Sequence, residues 1–211
     1  MMTHVSWIYV FDMAGTAVFA LTGALAAAKH RMDPFGVIVL AAVTAVGGGS
    51  IRDALIGATP VFWLTDSNYL ICILLTVFMT RLMVRYPAKI NPLLLPIADA
   101  FGLALFTIIG VEKALDYGIS GMGSVVMGLI TGVGGGIIRD MLCRKVPLVL
   151  RSEIYATAAI LGAITYSLGV SLAMPNTLAT VLAMLVTLSI RLAAIRWNLS
   201  LPAFNTDSKR F

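Results

Sequence analysis

The sequence predicts an all-α integral membrane protein, with seven transmembrane helices built as a 3+3 inverted repeat plus a seventh helix. Three observations predict it. Of 211 residues, 59% are hydrophobic and 12% charged, with a mean hydropathy of +0.95. A soluble domain carries about 25% charged residues and cannot hide so much apolar surface from water. Seven apolar runs approach the roughly 20 residues that a bilayer-crossing helix needs. A segment holding three of those runs recurs 87 residues later.

The runs follow one another through short connections. The first extends roughly from Trp7 to Ala28. No basic region or small-residue cleavage pattern marks it as a leader, so it reads as a retained span. The second, roughly Phe35 to Gly57, begins after the turn signal Asp33-Pro34. The third, Asn68 to Arg85, stops at Tyr86-Pro87, and the fourth runs from Asn91 to Leu115. The fifth covers Gly121 to Cys143 and the sixth Glu153 to Ala173. Met174-Pro175-Asn176 then turns the chain into the seventh, Asn176 to Arg196. No linker intervenes, so residues 1–211 read as one membrane domain: repeat 1 over about 7–85, repeat 2 over about 91–173, and the last helix over about 176–196. Continuous runs, without the alternation of ten-residue segments, argue against a β-barrel.

Lysine and arginine in the loops set the orientation. The first loop holds Lys29 and Arg31, the third Arg81, Arg85 and Lys89, and the fifth Arg144, Lys145 and Arg151. The C-terminal end holds Arg191, Arg196, Lys209 and Arg210. Every odd-numbered loop is basic, which puts the N-terminus outside and the C-terminus in the cytoplasm. Topology thus explains the formal charge of +5, and no nucleic-acid partner is implied. Cys72 and Cys143 are too far apart for a disulfide framework or metal site and read as free thiols. His4 and His30, in a terminus and a loop, are poor ligands, so neither metal nor cofactor is expected.

The repeat is the strongest signal. With the 87-residue shift, Asp12 meets Asp99, Gly15 meets Gly102, Phe19 meets Phe106 and Gly23 meets Gly110. Val46-Gly47-Gly48-Gly49 meets Val133-Gly134-Gly135-Gly136, and Ile51-Arg52-Asp53 meets Ile138-Arg139-Asp140. Between Asp12–Pro60 and Asp99–Pro147 about a third of positions are identical without a gap. Apolar composition does not align Asp, Arg-Asp and three successive glycines. Three spans per repeat force the second copy to enter the membrane upside down, an architecture whose path lies at the repeat interface.

Each triple glycine costs about 0.8–1 kcal/mol per residue in a helix and strips roughly one turn of side chains. Exposed backbone is tolerated in lipid only against protein or a wet cavity. Small-residue packing explains one such motif. Two copies, each followed by an intramembrane Arg-Asp, point to a path lined by Gly47, Gly48, Gly49, Gly134, Gly135 and Gly136 along interrupted helices. Buried arginines need partners. Asp12, Arg52 and Asp53 group at the outer mouth, and Asp99, Arg139 and Asp140 at the inner one. One arrangement has Arg52 bridging to Asp12 while Asp53 faces the path or caps backbone; the alternative is a pair of structural ion pairs. Glu112 and Lys113 end the fourth span, where they either snorkel or respond to voltage. Thr16, Thr22, Thr44, Ser50, Thr107 and Thr131 offer hydroxyls that bond their own helices or, as at Thr16 and Ser50, face the path.

The doubled GGGxxRD motif in a 3+3+1 arrangement resembles the prokaryotic TRIC (trimeric intracellular cation) channels, over about Trp7 to Arg196. The resemblance implies a homotrimer in a prokaryotic inner membrane, each protomer carrying an hourglass pore for monovalent cations. Potassium would be the main permeant ion, with sodium possible, and the glycine-broken helices would shape the pore. Animal members end the fourth helix on Lys-Glu-Val; here that stretch is Gly110-Val111-Glu112-Lys113, with the lysine displaced. Bacterial members also carry the label of glycine transporters, so a secondary transporter for glycine or another small solute stands beside the channel. Short loops and the lack of midplane carboxylates favour the channel. No nucleophile–base spacing suggests an enzyme.

Overall fold

A computed structural model describes residues 7–84, 91, 93–151 and 154–200. The basic residues Arg85, Lys89, Lys209 and Arg210, with Tyr86-Pro87 and Glu153, lie outside the described residues. The protein is an all-helical membrane protein; the described residues form eight α-helices in order: α1 (Trp7–Lys29), α2 (Pro34–Ile56), α3 (Phe62–Thr65), α4 (Asn68–Val84), α5 (Leu94–Asp116), α6 (Met122–Leu142), α7 (Ala156–Ser171) and α8 (Asn176–Trp197). Five of them, α1, α2, α5, α6 and α8, are long and apolar enough to cross a membrane. The apolar helices α4 and α7 are shorter, with 17 and 16 residues.

Local chemistry sets the ends. The Asp33 carboxylate accepts the Gly36 N–H at 2.7 Å and Pro34 occupies the first turn, so the Asp33-Pro34 turn is the N-terminal cap of α2. Gly57, at φ 74°, ends that helix in the left-handed conformation. The single turn α3 was not foreseen in the second loop; Asp66, just beyond it, accepts from the Tyr9 hydroxyl at 2.7 Å and the Asn68 N–H at 2.9 Å. Those two bonds hold the Asp66 carboxyl below the usual carboxylate range. The sixth run is helical from Ala156 to Ser171, slightly inside its predicted bounds, and a 3-10 turn at Leu148–Leu150 precedes it.

Packing is reciprocal. The Phe19 and Phe106 rings meet edge to face with centroids 5.0 Å apart. Phe106 fills the notch at Gly15, and Phe19 fills the notch at Gly102. Where α2 crosses α6, a Cβ on Gly48 would collide with the Thr131 carbonyl, and one on Gly135 with the Thr44 carbonyl. Each contact is the other shifted by 87 residues, with the partners exchanged. The residue pairing runs in opposite directions along the two helices, so α2 and α6 cross antiparallel.

Candidate functional site

The crossing of α2 and α6 organises the candidate site. Both helices continue without interruption through their glycines, from Pro34 to Ile56 and from Met122 to Leu142. The expected breaks at Gly47–Gly49 and Gly134–Gly136 are therefore corrected to close approach. Gly48 and Gly135 bring backbone against backbone; Gly134 lies with its Cβ position 2.9 Å from Gly48 Cα, and Gly47 meets the end of Ile138. The third glycines do something else. Gly49 leaves room for the Phe62 ring and Gly136 for the Tyr155 hydroxyl, 3.4 Å from where a Cβ would stand.

One turn and a half beyond the crossing, on opposite sides, stand two ionic clusters. Asp53 and Asp140 each lie five residues past the middle glycine, about 7.5 Å along the helix, so the clusters are about 15 Å apart. Both fit within a hydrocarbon core about 30 Å thick.

In the first cluster Arg52 Nη2 lies 2.7 Å from Asp53 Oδ1 and Nε donates to the same oxygen at 2.9 Å. Asp53 Oδ2 accepts the Phe62 N–H at 3.2 Å, so this carboxylate does cap neighbouring backbone. Lys113 Nζ sits 2.9 Å from both Asp53 oxygens and 5.7 Å from the Phe62 ring centroid. The expected bridge from Arg52 to Asp12 is absent among the described residues. The arginine is long enough to fold back onto its own neighbour, and Asp12 accepts instead from the Tyr69 hydroxyl at 2.5 Å. Snorkelling of Lys113 is likewise replaced by an ion pair. Glu112 turns from this cluster to line an apolar groove with Trp7, Phe11 and Met184.

The second cluster repeats the motif with different partners. Arg139 Nε donates to Asp140 Oδ1 at 2.9 Å, and Asp140 Oδ2 accepts the Leu148 N–H at 3.2 Å, as Asp53 accepts from Phe62. Here the interhelical bridge does form: Arg139 Nη1 donates to Asp99 Oδ1 at 2.6 Å and to Thr22 Oγ1 at 3.1 Å. Asp99 and the Tyr155 hydroxyl are buried side by side in this cluster. The position equivalent to Lys113 is Ala26, which lines a cavity beside Arg139 and Asp140.

These partners revise the picture of acidic mouths. The first cluster sets Asp12 and Asp53 against Arg52 and Lys113 and is neutral overall. The hydroxyls are mostly spent on their own helices: Thr22, Thr44, Ser50 and Thr131 bond carbonyls three or four residues back. Ser50 also accepts from Trp63 Nε1 at 2.9 Å. Thr16 and Thr107 are buried with no partner among the described residues. The reading missed Tyr69, Phe62 and Tyr155, because no spacing rule ties an aromatic on one element to a charge on another.

A family model described as glycine transporter matches residues 9–85 and 96–171. The chain is 51% identical over 201 residues to the UPF0126 inner membrane protein YadS of Escherichia coli (strain K12), covering 95% of this chain and 97% of that one. It is 54% identical over 199 residues to a UPF0126 membrane protein of Vibrio cholerae, covering 94% and 83%. The crystal structure of the TRIC trimeric intracellular cation channel orthologue from Rhodobacter sphaeroides matches with a TM-score of 0.88 at 37% identity, over 92% of this chain and 100% of that one. A second solved structure, described under conductance through TRIC cation channels, matches with a TM-score of 0.86 at 36% identity, over 94% and 98%.

Proposed function

Because the chain belongs to the family described as glycine transporter, which takes in the prokaryotic TRIC channels, we propose that it is a cation channel that conducts potassium and other monovalent cations through each protomer of a homotrimer. One observation carries the reading. Two clusters of buried charge stand about 15 Å apart on either side of the α2–α6 crossing, well inside a bilayer core. Charges at that depth are costly and mark ion paths when they face the bundle interior. Backbones touch at Gly48 and Gly135, so a path running along this crossing would conduct only when the two helices separate.

The exchange of contacts under the 87-residue shift supports an inverted 3+3 repeat. In that reading α4 and α7 are the third and sixth spans. Over the described residues they have 17 and 16 residues, a rise of about 24–26 Å, close to the hydrocarbon thickness a span must cross. The basic loops support an inner-membrane orientation with the N-terminus outside.

The competing reading is a secondary transporter, and the family's description favours glycine as its solute. Recording the purified protein in planar bilayers under a potassium chloride gradient separates the two. The channel predicts unitary steps that reverse near the potassium equilibrium potential. Saturable glycine uptake without unitary steps would establish alternating access. Cross-linking in native membranes tests the trimer, with a ladder ending at three copies as the expected result.

A further inference from the structure

A cavity of about 340 Å³ opens where α1, α6 and α8 end and α5 begins. Among the described residues one wall carries Arg139, Lys145, Arg151 and Arg191 with the carboxylate of Asp140, and Asp99 stands behind Arg139. With both carboxylates counted, the described residues leave a formal excess of two positive charges in a recess at the end of a membrane bundle. The opposite wall is apolar, and two of its residues, Leu93 and Leu199, keep nearly half their surface exposed.

The four cations fall into two pairs. Arg139 is committed to Asp99, Asp140 and Thr22, and Arg191 donates to the Ile154 carbonyl at 3.2 Å while its guanidinium lies 4.9 Å over the Tyr155 ring. Both are buried and already engaged. Lys145 and Arg151 are different. The Lys145 ammonium makes no hydrogen bond or ion pair among the described residues. Arg151 uses Nε on the Val146 carbonyl at 2.9 Å, which leaves its two terminal amino groups as donors. Like charges held together at a partly desolvated wall repel one another, and an anion between them reverses the sign of that interaction.

We propose that this cavity holds the phosphate of an anionic phospholipid, with Lys145 and Arg151 as its direct donors. A phosphate offers the acceptor oxygens that a guanidinium edge and an ammonium match. Basic recesses between transmembrane helices suit anionic headgroups. The apolar wall selects a lipid over a free phosphate, because acyl chains extend along Leu93 and Leu199 where a hydrated ion finds nothing to bind. The site is independent of the cation reading, since its test reads bound mass and not current.

Native mass spectrometry of the detergent-solubilised protein, titrated with phosphatidylglycerol or phosphatidylcholine, tests the proposal. The expected result is at least a tenfold preference for phosphatidylglycerol, lost in the double variant Lys145→Gln, Arg151→Gln. Should the double variant not fold, Lys145→Gln alone must weaken that preference severalfold. Equal binding of both lipids, or a preference that survives the substitutions, overturns it. Thermal protection by inorganic phosphate, with no lipid preference, overturns the lipid assignment in favour of a soluble anion.

Discussion

The Lys113 ammonium lies 2.9 Å from both oxygens of the Asp53 carboxylate, and no lysine stands at the equivalent place in the other half of the molecule. Ala26 takes that place and leaves a cavity beside Asp140. The two halves thus share a motif but differ in occupancy. One carboxylate carries a tethered cation, and the other is capped by Arg139 and backbone alone.

Replacing Lys113 with methionine should therefore change current more than stability. Asp53 keeps Arg52, and the ammonium is about a quarter exposed, so the lost pair costs about 1 kcal/mol. A tethered ammonium competes with permeant cations for the carboxylate, so its removal should raise unitary current at low potassium. Bilayer recordings beside detergent melting curves check this. Unchanged current would take Lys113 out of the conduction path.

The arginines should separate in the opposite sense. Arg139→Ala strands two buried carboxylates, Asp99 and Asp140, and leaves Thr22 without its donor. Losing one member of such a network typically costs about 3–5 kcal/mol. Arg52→Ala leaves Asp53 with Lys113 and the Phe62 N–H, so its cost should be smaller, about 1–3 kcal/mol. Melting in detergent should fall further for Arg139→Ala. The reverse order would mean that Lys113 does not support Asp53.

The three glycines of each motif should respond unequally to alanine. At Gly48 and Gly135 a Cβ meets a carbonyl on the facing helix, and backbone cannot step aside without separating α2 from α6. Overpacking there should cost about 1–3 kcal/mol or more and lower the yield of folded protein. At Gly136 the nearest atom is the Tyr155 hydroxyl at 3.4 Å, an ordinary contact, so Gly136→Ala should fold and melt like the parent. Equal losses at all three positions would show that the facing carbonyls do not set these positions apart, since helix propensity alone predicts a gain from alanine.

The sequence made the repeat and the charged pairs legible because glycine triplets and Arg-Asp dipeptides are improbable inside apolar helices. Whether Arg52 turns to Asp12 or to Asp53 was not legible. Both acceptors lie within reach of a long flexible side chain, and Tyr69 decides the matter by occupying Asp12 from α4. The fate of the glycines was hidden for a related reason. Small residues permit either a broken helix or a close crossing, and only the facing carbonyls of Thr44 and Thr131 distinguish them. The turn of α3 is not legible in the sequence, because nothing in it shows Asp53 and Ser50 bonding Phe62 and Trp63.

If the halves are inverted about a single conduit, Asp53 faces the outer solution and Asp140 the inner one. Asparagine at position 53 leaves Arg52 and Lys113 with one carboxylate fewer, turning a neutral cluster positive. Asparagine at position 140 adds to the positive excess of the cavity beside it. A positive entrance depletes cations locally, and salt screens that effect over a Debye length of about 10 Å at 0.1 M. Asp53→Asn should therefore reduce inward flux more than outward, and Asp140→Asn the reverse, chiefly at low ionic strength. Asp53 is fully buried, so its variant should also melt earlier, whereas Asp140, at the cavity edge, should lose less. Current–voltage curves at low and high potassium chloride measure both arms. Rectification in the same direction would exclude inverted mouths, and no change at low salt would reduce both carboxylates to partners of their arginines.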